Sequence, residues 1–269
     1  MENETIGCKT QEMPAVATAI ENYLACPCQY FAPMLDDDPI MEAFNAARQQ
    51  GENEGYLPVL IPVDDSLWEC MIINSDPESD GKENYSFQPR NVAAYRREMC
   101  AEDLENAQAQ LEELLQSKCA DLEQQGIQWN EEVLGEVSEG EEIDRFLSYW
   151  NYDAERTMPM LLAKIPVEKV WQVFAYLPFG GWNGCPDTPV LMAAAKLWFE
   201  QYGAVPAVIS HDSLEFVVPK PVDKAKALQL AQQQYALCTE IVDQGTEDGT
   251  IGTLADTLSQ STCWYFWWE

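Results

Sequence analysis

Histidine is almost missing: a chain of 269 residues holds one, His211. Any site that uses an imidazole as base therefore has one place to form. Positive charge is scarce too, with 15 Lys and Arg against 46 Asp and Glu and a formal charge of −31. Phosphate backbones and anionic lipid surfaces are bound by clustered Lys and Arg, so neither nucleic acid nor a membrane is an expected partner. No apolar run approaches the roughly 20 residues that cross a bilayer. No CxxC pair occurs, only Cys26-Pro27-Cys28, and the other cysteines are scattered, so no metal site is expected. The nearest approach to a phosphate loop, FGGWNG at residues 179–184, lacks the lysine and the spacing, and no cofactor is expected. The first residues, MENETIGCKTQEM, lack a basic stretch followed by an apolar one, which argues against a signal peptide. With an odd count of nine cysteines, this points to reduced thiols in the cytoplasm.

A hydrophobic fraction of 46% with nine tryptophans is ample for a packed core. The charge is unevenly placed. Residues 158–269 hold twelve acids and six bases, and those before them thirty-four acids and nine bases, which is −25 of the −31. An acidic region at 1–150 and a second region at 151–269 is the division this suggests. The acidity serves solubility first. Its sharper implication is a basic protein partner.

Residues 170–218 are the most patterned stretch. Val170 to Leu177 is aromatic and β-branched and predicts a strand, closed by Pro178. Asp187 and Pro189 predict a helix start, and Leu191, Ala194, Ala195, Trp198, Phe199 and Tyr202 follow at helical spacing. Gly203 and Pro206 end the helix, and two strands follow around a turn at His211, Asp212 and Ser213. The segments FAYLPFGGWNGCPD, YGAVPAVISHDSLEF and STCWYFWWE resemble the bacterial family called domain of unknown function 4253, from about residue 158 to 269. The resemblance implies a soluble α+β domain, and it brings neither an activity nor catalytic residues.

Earlier in the chain, residues 15–24 and 41–50 read as helices. Residues 55–73 share a frame with 203–218: Gly55 and Gly203, Pro58 and Pro206, Ile61 and Ile209, then Asp65-Ser66-Leu67 and Asp212-Ser213-Leu214. The frame predicts a hairpin in both places and two related α-β-β-α units, a diverged duplication. SDPESDGKEN at 75–84 starts like a calcium loop, but Phe87 stands where the twelfth-position acid belongs, so it reads as an exposed acidic loop. Residues 91–125 are helical with a break near Cys100. Between 101 and 144 there are fourteen acids and one base, on a helix with a narrow leucine seam. Residues 160–165 predict a strand, 225–237 a helix, and the aromatic end a last strand. The expected class is α+β, a mixed sheet with packed helices.

Catalytic candidates are His211, Asp212, Glu215 and Cys185. His211-Asp212-Ser213 has the composition of a hydrolytic triad, yet neighbours in a turn point apart. Cys185 precedes a helix N-terminus, where thiolates are stabilised, but reads more simply as a buried thiol. Trp182, Asn183 and Asp187 on a loop, with Trp129 and Trp150 near the acidic segment, are the binding-surface candidates. A non-enzymatic acidic binding module follows, of the kind that masks a basic toxin as an immunity protein does. The alternative is a hydrolase or other enzyme using the FGGWN turn with His211, which would need these residues in one cavity.

Overall fold

The structure is a computed structural model that describes residues 12–269; the reading of the N-terminal segment falls mostly outside them. In chain order the elements are α1 (Ala15–Leu24), β1 (Cys28–Phe31), α2 (Asp38–Glu54), β2 (Leu57–Pro62), α3 (Asp65–Ser75), α4 (Pro89–Cys100), α5 (Ala107–Gln124), β3 (Trp150–Asn151), β4 (Arg156–Thr157), β5 (Met160–Ile165), α6 (Val173–Tyr176), α7 (Thr188–Tyr202), β6 (Val205–Ile209), β7 (Ser213–Val217), α8 (Lys224–Leu237), α9 (Glu240–Asp243), α10 (Ile251–Leu258) and β8 (Cys263–Trp267). Six strands form one mixed sheet in the order β1-β5-β2-β6-β7-β8, and β3 pairs with β4 in a separate hairpin. Every pair in the large sheet is antiparallel except β2 with β6, which is parallel. The class is α+β. No described helix is long and apolar enough to cross a membrane.

Strand periodicity divides the core into two faces. Val59, Ile61, Leu161, Ala163, Ile209, Leu214, Phe216, Trp264 and Phe266 enter the larger cluster, beneath α1, α3, α7, α8 and α10. Leu60, Met160, Leu162, Val208 and Cys263 enter the smaller one with Ile40, Phe44, Phe146 and Tyr149. Trp198 of α7 is the pivot of the larger face: it stacks on Phe266 at 5.4 Å and meets Trp264 edge-on at 6.0 Å. Its indole N–H donates to the buried Gln233 at 3.1 Å, which satisfies the one polar atom it carries inside. The acidic helix α5 lies across α7 and α8 and buries only Ala107 and Leu111, so its seam is narrow as expected.

Three expectations are corrected. Residues 170–177 are a helical turn running into α6, not a strand. A short apolar run carries no period, and here Val173 and Leu177 bury one turn apart. Residues 65–75 are α3, not the second strand of a hairpin. The Asp64 carboxylate caps Leu67 N–H at 2.6 Å, and Leu67, Trp68, Met71, Ile72 and Ser75 bury at helical spacing. The α-β-β-α frame therefore fails in the first half, and what the two halves share is a helix, a glycine and a strand. Finally, the acidic loop is not wholly exposed: Asp76 is buried, accepting from Gln88 N and Asn91 Nδ2 at 2.6 Å each.

β5 lies between β1 and β2, so strands from both sides of residue 150 build one sheet. The change at residue 150 is one of composition, and the core crosses it.

Candidate functional site

The shared frame acquires a physical meaning at the carboxyl ends of β2 and β6. These parallel neighbours pair Leu60 with Val208, which sets Ile61 level with Ile209 and carries both chains out of the sheet at one place. Asp64 follows three residues after Ile61 and His211 two after Ile209. His211 Nδ1 lies 2.9 Å from Asp64 Oδ2, and its Nε2 lies 3.5 Å from Asp212 Oδ2. Asp64 is fixed by its helix-capping bond to Leu67. Asp212 is fixed by the Ser210 and Ser213 hydroxyls, which donate to its Oδ1 at 2.8 and 2.9 Å. Ser213 N–H in turn donates to Ser210 Oγ at 2.8 Å. The hydrogen bond to Asp64 raises the His211 pKa above its ordinary value; burial opposes it, and the charges of Asp64 and Asp212 add to it. Both neighbouring carboxylates favour the protonated ring.

Beside this trio is a cavity of about 230 Å³, walled by Trp150, Tyr152, Tyr265 and Trp267 with Ser148 at its edge. Ladder register explains two of the walls. Trp267 lies opposite Ser213 and Tyr265 opposite Glu215, so all four share one face of β7 and β8. Trp150 and Tyr152 come over that face on the β3–β4 hairpin. The position a nucleophile would hold against His211 Nε2 is taken by the Asp212 carboxylate, and the nearby serine hydroxyls donate to that carboxylate.

Glu215 is fully buried behind the cavity wall. It accepts from Leu147 N at 3.0 Å and Ser148 N at 2.9 Å, and also from Ser148 Oγ. Burial pushes its pKa up to about 7, with the bonds from Ser148 and Leu147 opposing. Its work is to dock the segment leading into the β3–β4 hairpin. Cys185 is also buried, and burial pushes its thiol up.

The Gly180–Asn183 turn is elsewhere and does not line the His211 cavity. Asn74 at the end of α3 donates to Pro178 O at 3.0 Å and Gly180 O at 2.8 Å, and Trp182 Nε1 donates to Phe179 O at 2.8 Å. A Cβ on Gly180 would stand 2.0 Å from Pro186 O, so the glycine is there for close backbone approach. Asp187 caps α7 at Val190 N, 3.3 Å away, and Asn183 is exposed. The supposed site of Trp182 and Asn183 with His211 and Asp212 therefore does not assemble. Trp129 packs half-buried on Tyr235 at 6.1 Å. Of the five binding-surface candidates, Trp150 alone reaches the cavity. Asp64, Tyr152, Tyr265 and Trp267 carry no motif that marks them in the sequence, although Asp64 occupies the frame position that answers to His211. For a cation, the described residues offer Asp36, Asp37 and Asp38, whose carboxylate oxygens lie within 4.8 Å of one another.

Fold and site together define an α+β protein with a charged, aromatic-walled cavity at the carboxyl ends of the parallel pair β2 and β6. Residues 161–269 match the family described as Domain of unknown function (DUF4253). No curated protein and no solved structure matches the chain. The cavity is thus composite: His211, Asp212, Tyr265 and Trp267 lie inside the matched stretch, and Asp64, Trp150 and Tyr152 lie outside it.

Proposed function

We propose that the protein is a non-enzymatic binding module for a basic protein, which docks at the corner formed by the β3–β4 hairpin and the loop before α2. The supporting observation is apolar surface left in water amid unpaired acid. Tyr152 is 70% exposed at the hairpin tip and Leu35 73% exposed on the neighbouring loop. The two segments are tied together, Thr157 N–H donating to Met34 O at 2.9 Å and Met34 N–H to Thr157 Oγ1 at 3.1 Å. Asp36, Asp38, Asp153 and Glu155 surround them, and none is in an ion pair among the described residues. A Lys- or Arg-rich face with an apolar hollow complements this corner. One cationic side chain would enter the cavity, against the Trp150 and Trp267 rings and beside Asp212. Masking of a basic toxin is one use such a corner would serve. An enzyme drawing on the Gly180–Asn183 turn and His211 together has less support, because those residues line no common cavity.

Charge and apolar contact act on different rate constants, which gives the test. A basic partner is recovered from the source cell at low salt, identified, and its association measured by surface plasmon resonance. Asp153→Lys with Glu155→Lys should slow association about tenfold at 0.1 M salt and hardly at all at 1 M, where the screening length has fallen from about 10 Å to about 3 Å. Tyr152→Ala should instead speed dissociation about tenfold or more. Identical kinetics for wild type and both variants would remove this corner as the docking surface.

A further inference from the structure

The Cys26-Pro27-Cys28 turn lies away from the docking corner and has its own chemistry. α1 ends at Leu24, Ala25 takes a left-handed conformation (φ 54°), and the chain must then enter the edge strand β1. Pro27 fixes its own φ and pushes Cys26 toward extended backbone. Residues two apart on an extended chain project to the same side, so the two thiols share one side of the turn around the exposed proline. The Cys28 thiol reaches the Cys26 carbonyl oxygen at 3.5 Å. Lys164 N–H holds the turn against β5 through Pro27 O at 2.9 Å. Both cysteines are half-buried and unbridged.

A fixed cation stands next to the pair. Arg96 of α4 donates to Tyr23 O at 2.8 Å and Leu24 O at 3.5 Å. Its guanidinium lies over the rings of Tyr23 and Tyr176, 5.1 and 4.3 Å from their centroids. The carbonyl end of α1 would by itself repel a thiolate, and this cation covers it. No acid pairs with Arg96 among the described residues. The neighbouring Cys28 thiol lowers the Cys26 pKa; burial opposes it, and Arg96 and the Lys164 N–H assist, with Glu21 the one acid facing the pair. Cys26 in turn pushes Cys28 up. Cys70, Cys100 and Cys119 are all raised, each chiefly by burial.

We propose that Cys26 and Cys28 form a thiol–disulfide exchange centre, with Cys26 attacking, Cys28 resolving, and a low-molecular-weight disulfide as the oxidant. The Cys26 thiolate attacks one sulfur of the small disulfide. That S–S bond breaks, a mixed disulfide forms, and the first small thiolate leaves and takes up a proton. The Cys28 sulfur then attacks Cys26, releases its own proton, and expels the second small thiol as the Cys26–Cys28 bond closes. The protein dithiol loses two electrons and two protons, and one disulfide becomes two thiols.

The full chain is incubated with glutathione disulfide at pH 7, quenched by alkylation, and its peptides are weighed. In the wild type the peptide spanning residues 26–28 should lose two hydrogens and carry no glutathione. Cys28→Ser should accumulate a stable glutathione adduct on Cys26. Cys26→Ser should leave Cys28 unmodified over the same interval, with circular dichroism confirming that both variants are folded. In the reduced protein Cys26 should be alkylated about tenfold or more faster than Cys100. A wild type that stays reduced or stops at the glutathione adduct would overturn the proposal. So would equal adduct formation in the two serine variants, or Cys100 or Cys119 reacting before Cys26.

Discussion

Glu215 is a carboxylate held inside a sheet, and its energetics depend on pH in an unusual direction. Most acids have a depressed pKa in the folded state, whereas this one is raised from 4.5 to about 7 by burial. Below 4.5 it is neutral in both folded and unfolded chains and folding loses nothing. Between 4.5 and 7 the unfolded chain gives up its proton and the folded one retains it, so stability falls as pH rises and levels off above 7. A shift of that size corresponds to about 3 kcal/mol. The excess of acids over bases, 46 to 15, pulls the same way, so the readout is a difference. Glu215→Gln should match wild type in urea unfolding near pH 4 and exceed it by about 3 kcal/mol at pH 8. A constant difference across pH would mean that Glu215 is not charged at a cost in the fold. His211 offers a second reading at this scale, because a lone histidine gives one imidazole titration in a proton NMR spectrum. Its midpoint should lie above 6.5 in the wild type and move down in Asp64→Asn, since the hydrogen bond to Asp64 is the leading cause of the shift. A midpoint at or below 6.5 would break the Asp64–His211 pair as described.

Among elements, α7 and the β6–β7 hairpin were legible because each carries its own punctuation: Asp187 and Gly203 at the helix ends, Ser210 to Ser213 at the turn. α6 was not, because a run as apolar as VWQVFAYL is equally compatible with a buried strand and a helical turn, and only the neighbours decide. α3 was misread for a different reason. The likeness of residues 55–73 to 203–218 holds through the strands β2 and β6, and the two paths part where the Asp64 carboxylate caps α3. The site was legible to the extent that His211, Asp212 and Trp150 were singled out. Their meeting with Asp64 depends on β2 and β6 being parallel neighbours, which no local pattern encodes. The Gly180 turn, taken from sequence as a functional loop, is held by α3 instead. Asn74 Nδ2 reaches Cys70 O at 3.0 Å, Pro178 O at 3.0 Å and Gly180 O at 2.8 Å. Asn74→Ala should leave two carbonyls of the turn short of a donor and cost about 2 kcal/mol in chemical denaturation. It should leave the His211 titration unmoved, and a variant as stable as wild type would show the turn to be self-supporting.

At the scale of the molecule, the matched stretch 161–269 and the sheet do not coincide. β5 opens that stretch and pairs with β1 on one side and β2 on the other, while β6 takes β2 as its parallel neighbour. Removing residues 1–160 would strip both neighbours from β5 and one from β6. Val59, Ile61, Tyr23 and Leu67 would leave the larger apolar cluster, and Leu60, Phe44 and Tyr149 the smaller. Leu161, Ala163 and Ile165 would face water along an open strand with two bare edges, a template for aggregation rather than a stable edge. The acidic region is therefore part of the core and not an appendage that supplies charge alone. A fragment of residues 161–269 should keep helical far-ultraviolet dichroism from α7 and α8 while losing the near-ultraviolet signal of the packed Trp198, Trp264 and Phe266 rings. It should also melt without a cooperative transition. Adding residues 1–160 as a separate chain should restore that signal if the missing strands are what the fragment lacks. A fragment that melts sharply by itself, with its tryptophan signal intact, would show that β5 finds its place without β1 and β2 and would make the matched stretch an independent domain.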